Sequence, residues 1–271
     1  MKPQDFEHLQ GLLASRAGFH LSRDRLFLVE HRLAPLARRE GFGSVEQLLQ
    51  ALREGPVGEL AWAAIEAMLT TETWFHRDRA PFATFRDEVL PAIARVRPGG
   101  RVRILSAGCA TGQEPYSLAM AALETGVSAE IVAFDLSTRA LEKARSGLYT
   151  QFEIQRGLPT RQLLRWFDNE EDMWRPRPQL RGAVRFERAN LLDDPVAGGP
   201  FDVVFCRYVL TDFDPARRPR LLDVLGRTLA DDGCLFLGLN ETPADAAGDF
   251  RAVSGRRGLY VKTPGAVRRA A

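Results

Sequence analysis

Three cysteines, Cys109, Cys206 and Cys234, are all the chain has, and no C-x-x-C pair or cysteine–histidine cluster joins them. That excludes a disulfide framework and leaves no metal-binding pattern in the sequence. Each sits in or beside an apolar run and reads as a buried, reduced thiol. Cys109 lies in a glycine-rich turn, where it is expected to be within reach of alkylating agents, without a catalytic role. No run of about eighteen apolar residues exists, and the opening MKPQDFEHLQ has no signal-peptide pattern. A cytoplasmic protein without membrane insertion is expected. Charge of neither sign prevails: 37 Lys and Arg stand against 35 Asp and Glu, a net +2. Bulk electrostatics therefore makes no case for nucleic acid. There is no internal repeat and no low-complexity linker. Two phosphate-binding patterns are missing as well. The loop AGCATG lacks the spacing G-x-G-x-x-G, and no G-x-x-x-x-G-K-[ST] appears, so nothing is built to cradle a pyrophosphate.

What is present starts with Ser106 to Met120, SAGCATGQEPYSLAM, which follows the short apolar run Arg101 to Leu105. Strand, glycine turn, helix is the arrangement that brings backbone close to a nucleotide-like ligand. Gly108 and Gly112 leave room there, and Pro115 sits where a helix can begin. About twenty residues further on, EIVAFDL ends in Asp135, where a carboxylate can accept both hydroxyls of a ribose. By themselves these two features also suit an ordinary loop and a helix N-cap. A ligand with ribose and adenine but no phosphate fits them best, and S-adenosylmethionine is the candidate.

Residues 1 to about 68 read as helices. FEHLQGLLASR, RDRLFLVEHRLAPLARRE, SVEQLLQALRE and ELAWAAIEAML carry apolar residues three and four apart. Ser22 and Ser44 are N-cap candidates, and Pro35 is expected to kink or end its helix. This bundle is expected to have no chemistry of its own. From about Val102, strand-like runs (RVRIL, EIVAF, VRFERA, DVVFCR, CLFLGL) alternate with helices, which implies a mainly parallel sheet with ligands at the strands' carboxyl ends. One more strand is expected at Gly258 to Lys262, followed by a disordered basic tail. Between Gly147 and Asn190 the alternation breaks. LRWF and MWRPR around DNEED predict a hairpin whose prolines keep it from being a central strand.

GCATGQEPYSLA resembles the signature of CheR-type chemotaxis receptor methyltransferases, which move a methyl group from S-adenosylmethionine to receptor glutamates. The resemblance continues through LTTETWFHRD (Leu69 to Asp78), FDLSTRALEKARSGLY (Phe134 to Tyr149), VRFERANLLD (Val184 to Asp193), GPFDVVFCRYVL (Gly199 to Leu210) and DDGCLFLGLNE (Asp231 to Glu241). It implies an α/β fold: a Rossmann-like methyltransferase sheet with a small antiparallel subdomain, preceded by an all-α domain. The spans expected are a helical domain over 1–70, a linker over 71–100, the cofactor-binding domain over 101–264 with the subdomain at about 160–188, and a tail over 265–271.

The resemblance also implies roles. Arg77 is expected to clamp the incoming carboxylate. Thr71 and Thr73 are expected near the methionine portion of the cofactor, Gly108 and Glu114 at its amino-acid end, Asp135 on the ribose, and Asn190 and Leu191 at the adenine. Arg207, Tyr208 and Val209 are expected to close the site. The family block R-N-V-L-I-Y-F reads Arg207-Tyr208-Val209-Leu210-Thr211-Asp212-Phe213 here. Tyr208 thus replaces an asparagine and is expected to bring an aromatic hydroxyl to the methyl group in place of the missing tyrosine. Asp212, standing where that tyrosine would be, is expected to repel a glutamate substrate if it faces the site. His76 stands for a common phenylalanine, Thr71 for asparagine or histidine, and Asn240 for serine. These departures keep a diverged cofactor-binding signalling protein, with altered substrate or no turnover, as the alternative reading. Arg23, Arg25, Arg32, Arg38 and Arg39 fall in one expected helix and, by the resemblance, would meet the acidic methylation region of chemoreceptors. Asp24, Glu30 and Glu40 among them also suit a plain solvated face. The hairpin turn is short and acidic where tether-binding relatives have a longer, glycine-rich one, so a receptor tether peptide is not expected to bind. A monomer is expected.

Overall fold

Apolar residues three and four apart give the first quarter of the chain four helices: α1 (Pro3–Ala17), α2 (Leu26–Arg39), α3 (Val45–Glu54) and α4 (Glu59–Met68). The structure is a computed structural model describing residues 1–193, 198–244 and 249–263; the tail expected over 265–271 lies outside them. Leu9, Leu13, Leu33, Leu48 and Ile65 meet in one core between the helices. Ser44 caps α3 by accepting from the Gln47 N–H at 3.3 Å. Ser22 makes no such cap; it precedes a 3₁₀ turn, Arg23–Arg25, that runs into α2. Pro35 neither ends nor replaces α2 but lies inside it. Both Pro35 and His31, whose carbonyl the ring deprives of a partner, are exposed, so water can serve that carbonyl.

Next come α5 (Ala80–Thr84), a π-helical turn (Phe85–Val89) and α6 (Leu90–Val96). The strands are β1 (Val102–Ala107), β2 (Ala129–Asp135), β3 (Tyr149–Thr150), β4 (Phe167–Glu170), β5 (Met173–Pro176), β6 (Val184–Arg188), β7 (Phe201–Cys206), β8 (Leu229–Leu237), β9 (Phe250–Ala252) and β10 (Leu259–Lys262). Between them run α7 (Gln113–Thr125), α8 (Thr138–Ser146), α9 (Gln151–Gln155), α10 (Thr160–Trp166), α11 (Pro178–Arg181) and α12 (Arg218–Thr228).

Seven strands form one sheet in the order β6-β2-β1-β7-β8-β10-β9. Its first five strands are parallel, and β10 joins antiparallel to both neighbours. Helices cover both faces, so β7 is buried at every position and its apolar run does not alternate. The chain leaves β1 toward β2 and later returns on the other side of β1 with β7. That reversal opens a crevice at the carboxyl ends of the strands. The expected hairpin forms as β4 and β5, but the small sheet is ordered β3-β5-β4. The expectation about its prolines is corrected: β5, which ends in Pro176, is the middle strand. It is tolerated because β3 pairs only with Met173 and Trp174, leaving Pro176 a strand neighbour on one side alone. The small sheet also starts earlier than residue 160, at Tyr149, while Val184–Arg188 belongs to the large sheet. Among the described residues no helix is long and apolar enough to cross a membrane.

Candidate active site

The ends of β1, β2, β6 and β7 open into a cavity of about 270 Å³. Directly after β1, Gly108 takes φ 77°, a left-handed conformation that glycine adopts freely, and a Cβ there would meet Val209 Cγ2 at 2.6 Å. Gly112, at φ 94°, opens α7. Asp135, at the end of β2, accepts the Ala110 N–H at 2.8 Å on Oδ2 and the Ser137 N–H at 2.9 Å on Oδ1. Burial pushes its carboxyl above the usual range, against the pull of those N–H groups. Each oxygen retains a lone pair, which matches the two hydroxyls of a ribose.

Leu191 and Val209 line the same cavity, and so do Ala17 and Phe19 of the helical region. The bundle expected to lack chemistry thus supplies a wall of the site. Asn190 lines it too, and its amide also bonds within the chain. Nδ2 donates to the Arg16 carbonyl at 2.7 Å, and Oδ1 accepts the Leu192 N–H at 3.1 Å. It closes a turn and ties β6 to α1, and it keeps one further amide N–H and one Oδ1 lone pair at the cavity.

At the other end stands Glu114, in the first turn of α7. Its Oε1 accepts from Ser106 Oγ at 2.9 Å and its Oε2 from Arg207 Nη1 at 3.1 Å. Burial raises its carboxyl above the usual range although Arg207 and Ser106 favour the ionised form. Arg207, with 1% of its side chain exposed, also donates through Nη2 to the Arg77 carbonyl at 2.8 Å and to Asp78 Oδ2 at 2.5 Å. Asp78 in turn accepts the Tyr208 hydroxyl. Burial first, and Asp78 second, raise the phenol's pKa, so its proton stays on. Tyr208 itself sits at φ 62°. Its N–H, with those of Thr211 and Gly238, is collected by the buried Glu241.

Arg77 is stacked between two rings. Its guanidinium carbon lies 4.3 Å from the Trp74 centroid and 3.5 Å from that of Tyr208. Nη1 donates to the Glu72 carbonyl at 3.1 Å, while Nε is buried with no hydrogen-bond partner among the described residues.

Of the other expected residues, Thr73 lines the cavity but Thr71 does not; Thr70 occupies the lining instead. Leu69, Thr70, Glu72 and Thr73 all line it, so residue 71 alone in this stretch turns away. His76 is outside the cavity altogether, hydrogen-bonded to Gln162 at 2.6 Å. Asp212 does face the cavity, but Arg25 Nη1 stands 3.3 Å from its Oδ1, so its charge is not bare. Cys109 is 1% exposed and burial pushes its thiol pKa well up, which corrects the expectation that alkylating agents reach it. Sequence reasoning missed Asp78, Ser106 and Glu241. Asp78 and Glu241 lie inside quoted motif blocks, but their roles arise from partners far along the chain.

The residues fit an adenosine ligand with an amino-acid end. One carboxylate with spare lone pairs stands at each end, a glycine leaves the floor open, and no phosphate cradle intervenes. A family model described as CheR methyltransferase, all-alpha domain, matches residues 4–69, and one described as CheR methyltransferase, SAM binding domain, matches residues 71–259. Chemotaxis protein methyltransferase Cher2 of Pseudomonas putida is 37% identical over 246 residues, 88% of this chain and 90% of that one. Chemotaxis protein methyltransferase 1 of Pseudomonas aeruginosa is 37% identical over 270 residues, 95% and 97% of the two chains. A chemotaxis protein methyltransferase of Vibrio parahaemolyticus is 34% identical, covering 96% of each. The cofactor that such a site takes is S-adenosylmethionine. From its helical domain to the last strands of its sheet, the chain belongs to the CheR methyltransferase family.

Proposed function

We propose that this protein methylates glutamate side chains of methyl-accepting chemotaxis receptors, giving glutamate methyl esters. The observation that carries the reading is Arg77, an arginine at the cavity whose guanidinium is stacked between Trp74 and Tyr208 and makes no ion pair among the described residues. A carboxylate is the ligand such a group lacks. When bound, S-adenosylmethionine supplies an electrophilic methyl group on sulfonium. The residues named here do the rest. A glutamate, with a reference pKa of about 4.3, arrives already ionised, so no general base is needed. Arg77 orients it and replaces part of its water. Tyr208 contributes its ring, which holds Arg77, while its hydroxyl is committed to Asp78. Asp135 holds the donor's ribose and Glu114 its amino-acid end, with Leu191 at the adenine beyond the ribose and Val209 lining the same cavity.

For the partner, the five arginines divide. Arg25 turns to Asp212, and Arg32 to the Met68 carbonyl. Arg23 pairs with exposed Glu7, and Arg39 with its neighbour Glu40. We therefore assign the encounter with the acidic, cytoplasmic methylation region to Arg23, Arg38 and Arg39, with the protein acting as a monomer. The hairpin turn at Glu171 and Asp172 supports a reading without tether binding; calorimetric titration with a receptor C-terminal peptide would expose the error through micromolar affinity.

The test is transfer of labelled methyl from S-adenosylmethionine to a receptor cytoplasmic fragment, recovered as base-labile ester. Cofactor binding without any label on the fragment would overturn the reading. High salt should slow this transfer and leave cofactor affinity unchanged.

A further inference from the structure

Behind the loop that carries Arg77 lies a second cavity, about 350 Å³, sharing no lining residue with the first. His76 and Arg79 from that loop line it, together with Phe82, Arg86, Leu158 and Gln162. The loop thus divides its side chains, with Arg77 at the cofactor cavity and His76 and Arg79 at the second one.

The polar groups of this second cavity are set in a definite way. Gln162 Nε2 donates to Glu124 Oε2 at 3.0 Å, so its Oε1 is the atom that meets His76 Nε2 at 2.6 Å. Nε2 therefore carries the proton. Burial lowers the imidazole's pKa and keeps it neutral. Nδ1 is then an acceptor with no hydrogen-bond partner among the described residues. Arg86 is held by both oxygens of Asp87, at 2.7 and 2.8 Å. The Arg79 guanidinium has no ion pair or hydrogen bond among the described residues. Phe82, Leu158 and Pro159 supply an apolar wall. An exposed arginine without an ion pair beside apolar walls, in a cavity within the ~300–1,000 Å³ range of small-molecule sites, suits a ligand with an apolar body and an anionic head.

We propose that this cavity binds a small organic anion whose head is held by Arg79, and that its occupancy sets the position of the loop bearing Arg77. His76, Asp78 and Arg79 all lie at positive φ (50°, 70° and 51°), a strain held in place by Arg207 on the Arg77 carbonyl and Asp78 and by Ser117 on the His76 N–H, and a ligand head on Arg79 acts on that held geometry. The coupling half rests on the methyl-transfer reading; the binding half does not.

The probe is 4-fluorobenzoate, followed by fluorine NMR, with neutral 4-fluorobenzamide as control. The benzoate binds and the benzamide does not. Arg79→Gln weakens binding roughly tenfold or more, through loss of a charged hydrogen bond. Ala83→Trp fills the cavity and abolishes binding, and both variants keep S-adenosylhomocysteine binding by calorimetry, which shows that they fold. Equal binding of the two probes, absence of binding at millimolar benzoate, or benzoate binding unchanged in both variants overturns the site. Saturating benzoate changes the methylation rate roughly fivefold in the wild type and not in Ala83→Trp; a constant wild-type rate overturns the coupling. A protein that takes up cofactor and benzoate yet labels no receptor sinks the methyl-transfer reading and leaves this site standing.

Discussion

The two ends of the cofactor cavity are built on different plans. At the adenosine end, Asp135 is held by backbone N–H groups of Ala110 and Ser137, within a strand-turn-helix pair that folds locally. At the methyl end, Arg207 joins Glu114, Asp78 and the Arg77 carbonyl across 93 to 130 positions of chain. The first end is fixed by main-chain geometry, which needs glycine at Gly108 and Gly112 but no distant side chain. The second exists only once distant segments have met. Recognition of the donor is thus local, whereas the machinery that meets the acceptor is a product of the whole fold.

The largest effect should break this contrast outright. Arg207→Ala leaves the buried Glu114 and the half-buried Asp78 without their cation, and removing one partner of a buried pair costs about 3–5 kcal/mol. Urea denaturation should show that loss for Arg207→Ala and little change for Asp135→Asn. Equal destabilisation by the two substitutions would mean that both ends are structural networks. Next comes Arg77→Ala, which empties the stack between Trp74 and Tyr208 without leaving a buried carboxylate alone. Loss of one oriented donor lowers turnover by about 10²–10³-fold, and calorimetry should still detect cofactor binding. At the adenosine end, Asp135→Asn should weaken cofactor affinity by about 10–100-fold through loss of charged hydrogen bonds, with turnover at saturating cofactor largely kept.

The same contrast explains what was readable in advance. Gly108, Asp135 and the alternation of strands and helices depend on spacing of the order of twenty residues, so their placement followed from the chain. Thr73, Arg77, Leu191, Val209 and Tyr208 were named through resemblance and do line the cavity. Thr71 shows where such transfer stops, because its neighbours on both sides line the cavity and it does not, and Asn190 gains a partner 174 positions away, the Arg16 carbonyl, that no local pattern names. Asp78 and Glu241 could not be recognised because a carboxylate's role is set by its partners. Nothing in FHRD or GLNE names Arg207, the Tyr208 hydroxyl or the Thr211 N–H. Pro35 and Pro176 were misjudged for a related reason: the cost of proline depends on which carbonyl or strand edge it deprives, and solvent or a missing neighbour removed that cost.

A titration sharpens the comparison further. Burial raises both Glu114 and Asp135 above the ordinary carboxylate range. Between the ordinary value and the raised one, the folded protein without cofactor binds more protons than the unfolded chain. These two groups therefore add stability below that window and lose it as pH rises through it. Cofactor binding has the opposite sign, since only an ionised Glu114 can receive an ammonium group. Affinity should fall as pH drops through the window, several-fold per pH unit, with proton release on binding. Calorimetry in buffers of different ionisation enthalpy measures that release. No release, or affinity flat across the window, would show that Glu114 is ionised before the ligand arrives. Asp135→Asn should remove less of the release than Glu114→Gln, because a ribose brings no charge.

The smallest effect concerns the seam between the methyl end and the helical domain. Arg25 and Asp212 keep 38% and 22% of their side chains exposed, so their pair is screened. Arg25→Ala should cost no more than about 1 kcal/mol. The seam survives it, because the His20 N–H donates to the Asp212 carbonyl at 2.8 Å and the Asp214 N–H to that of Gly18 at 2.7 Å. What the substitution does change is charge at the cavity mouth, where Asp212 loses its counterion and faces an incoming glutamate. KM for the receptor fragment should rise while kcat and cofactor affinity hold, and added salt should shrink the difference. The double substitution Arg25→Ala/Asp212→Asn separates two causes. If it restores KM, Arg25 acts by neutralising Asp212. If KM stays high, Arg25 touches the receptor directly and belongs with Arg23, Arg38 and Arg39 on the encounter surface.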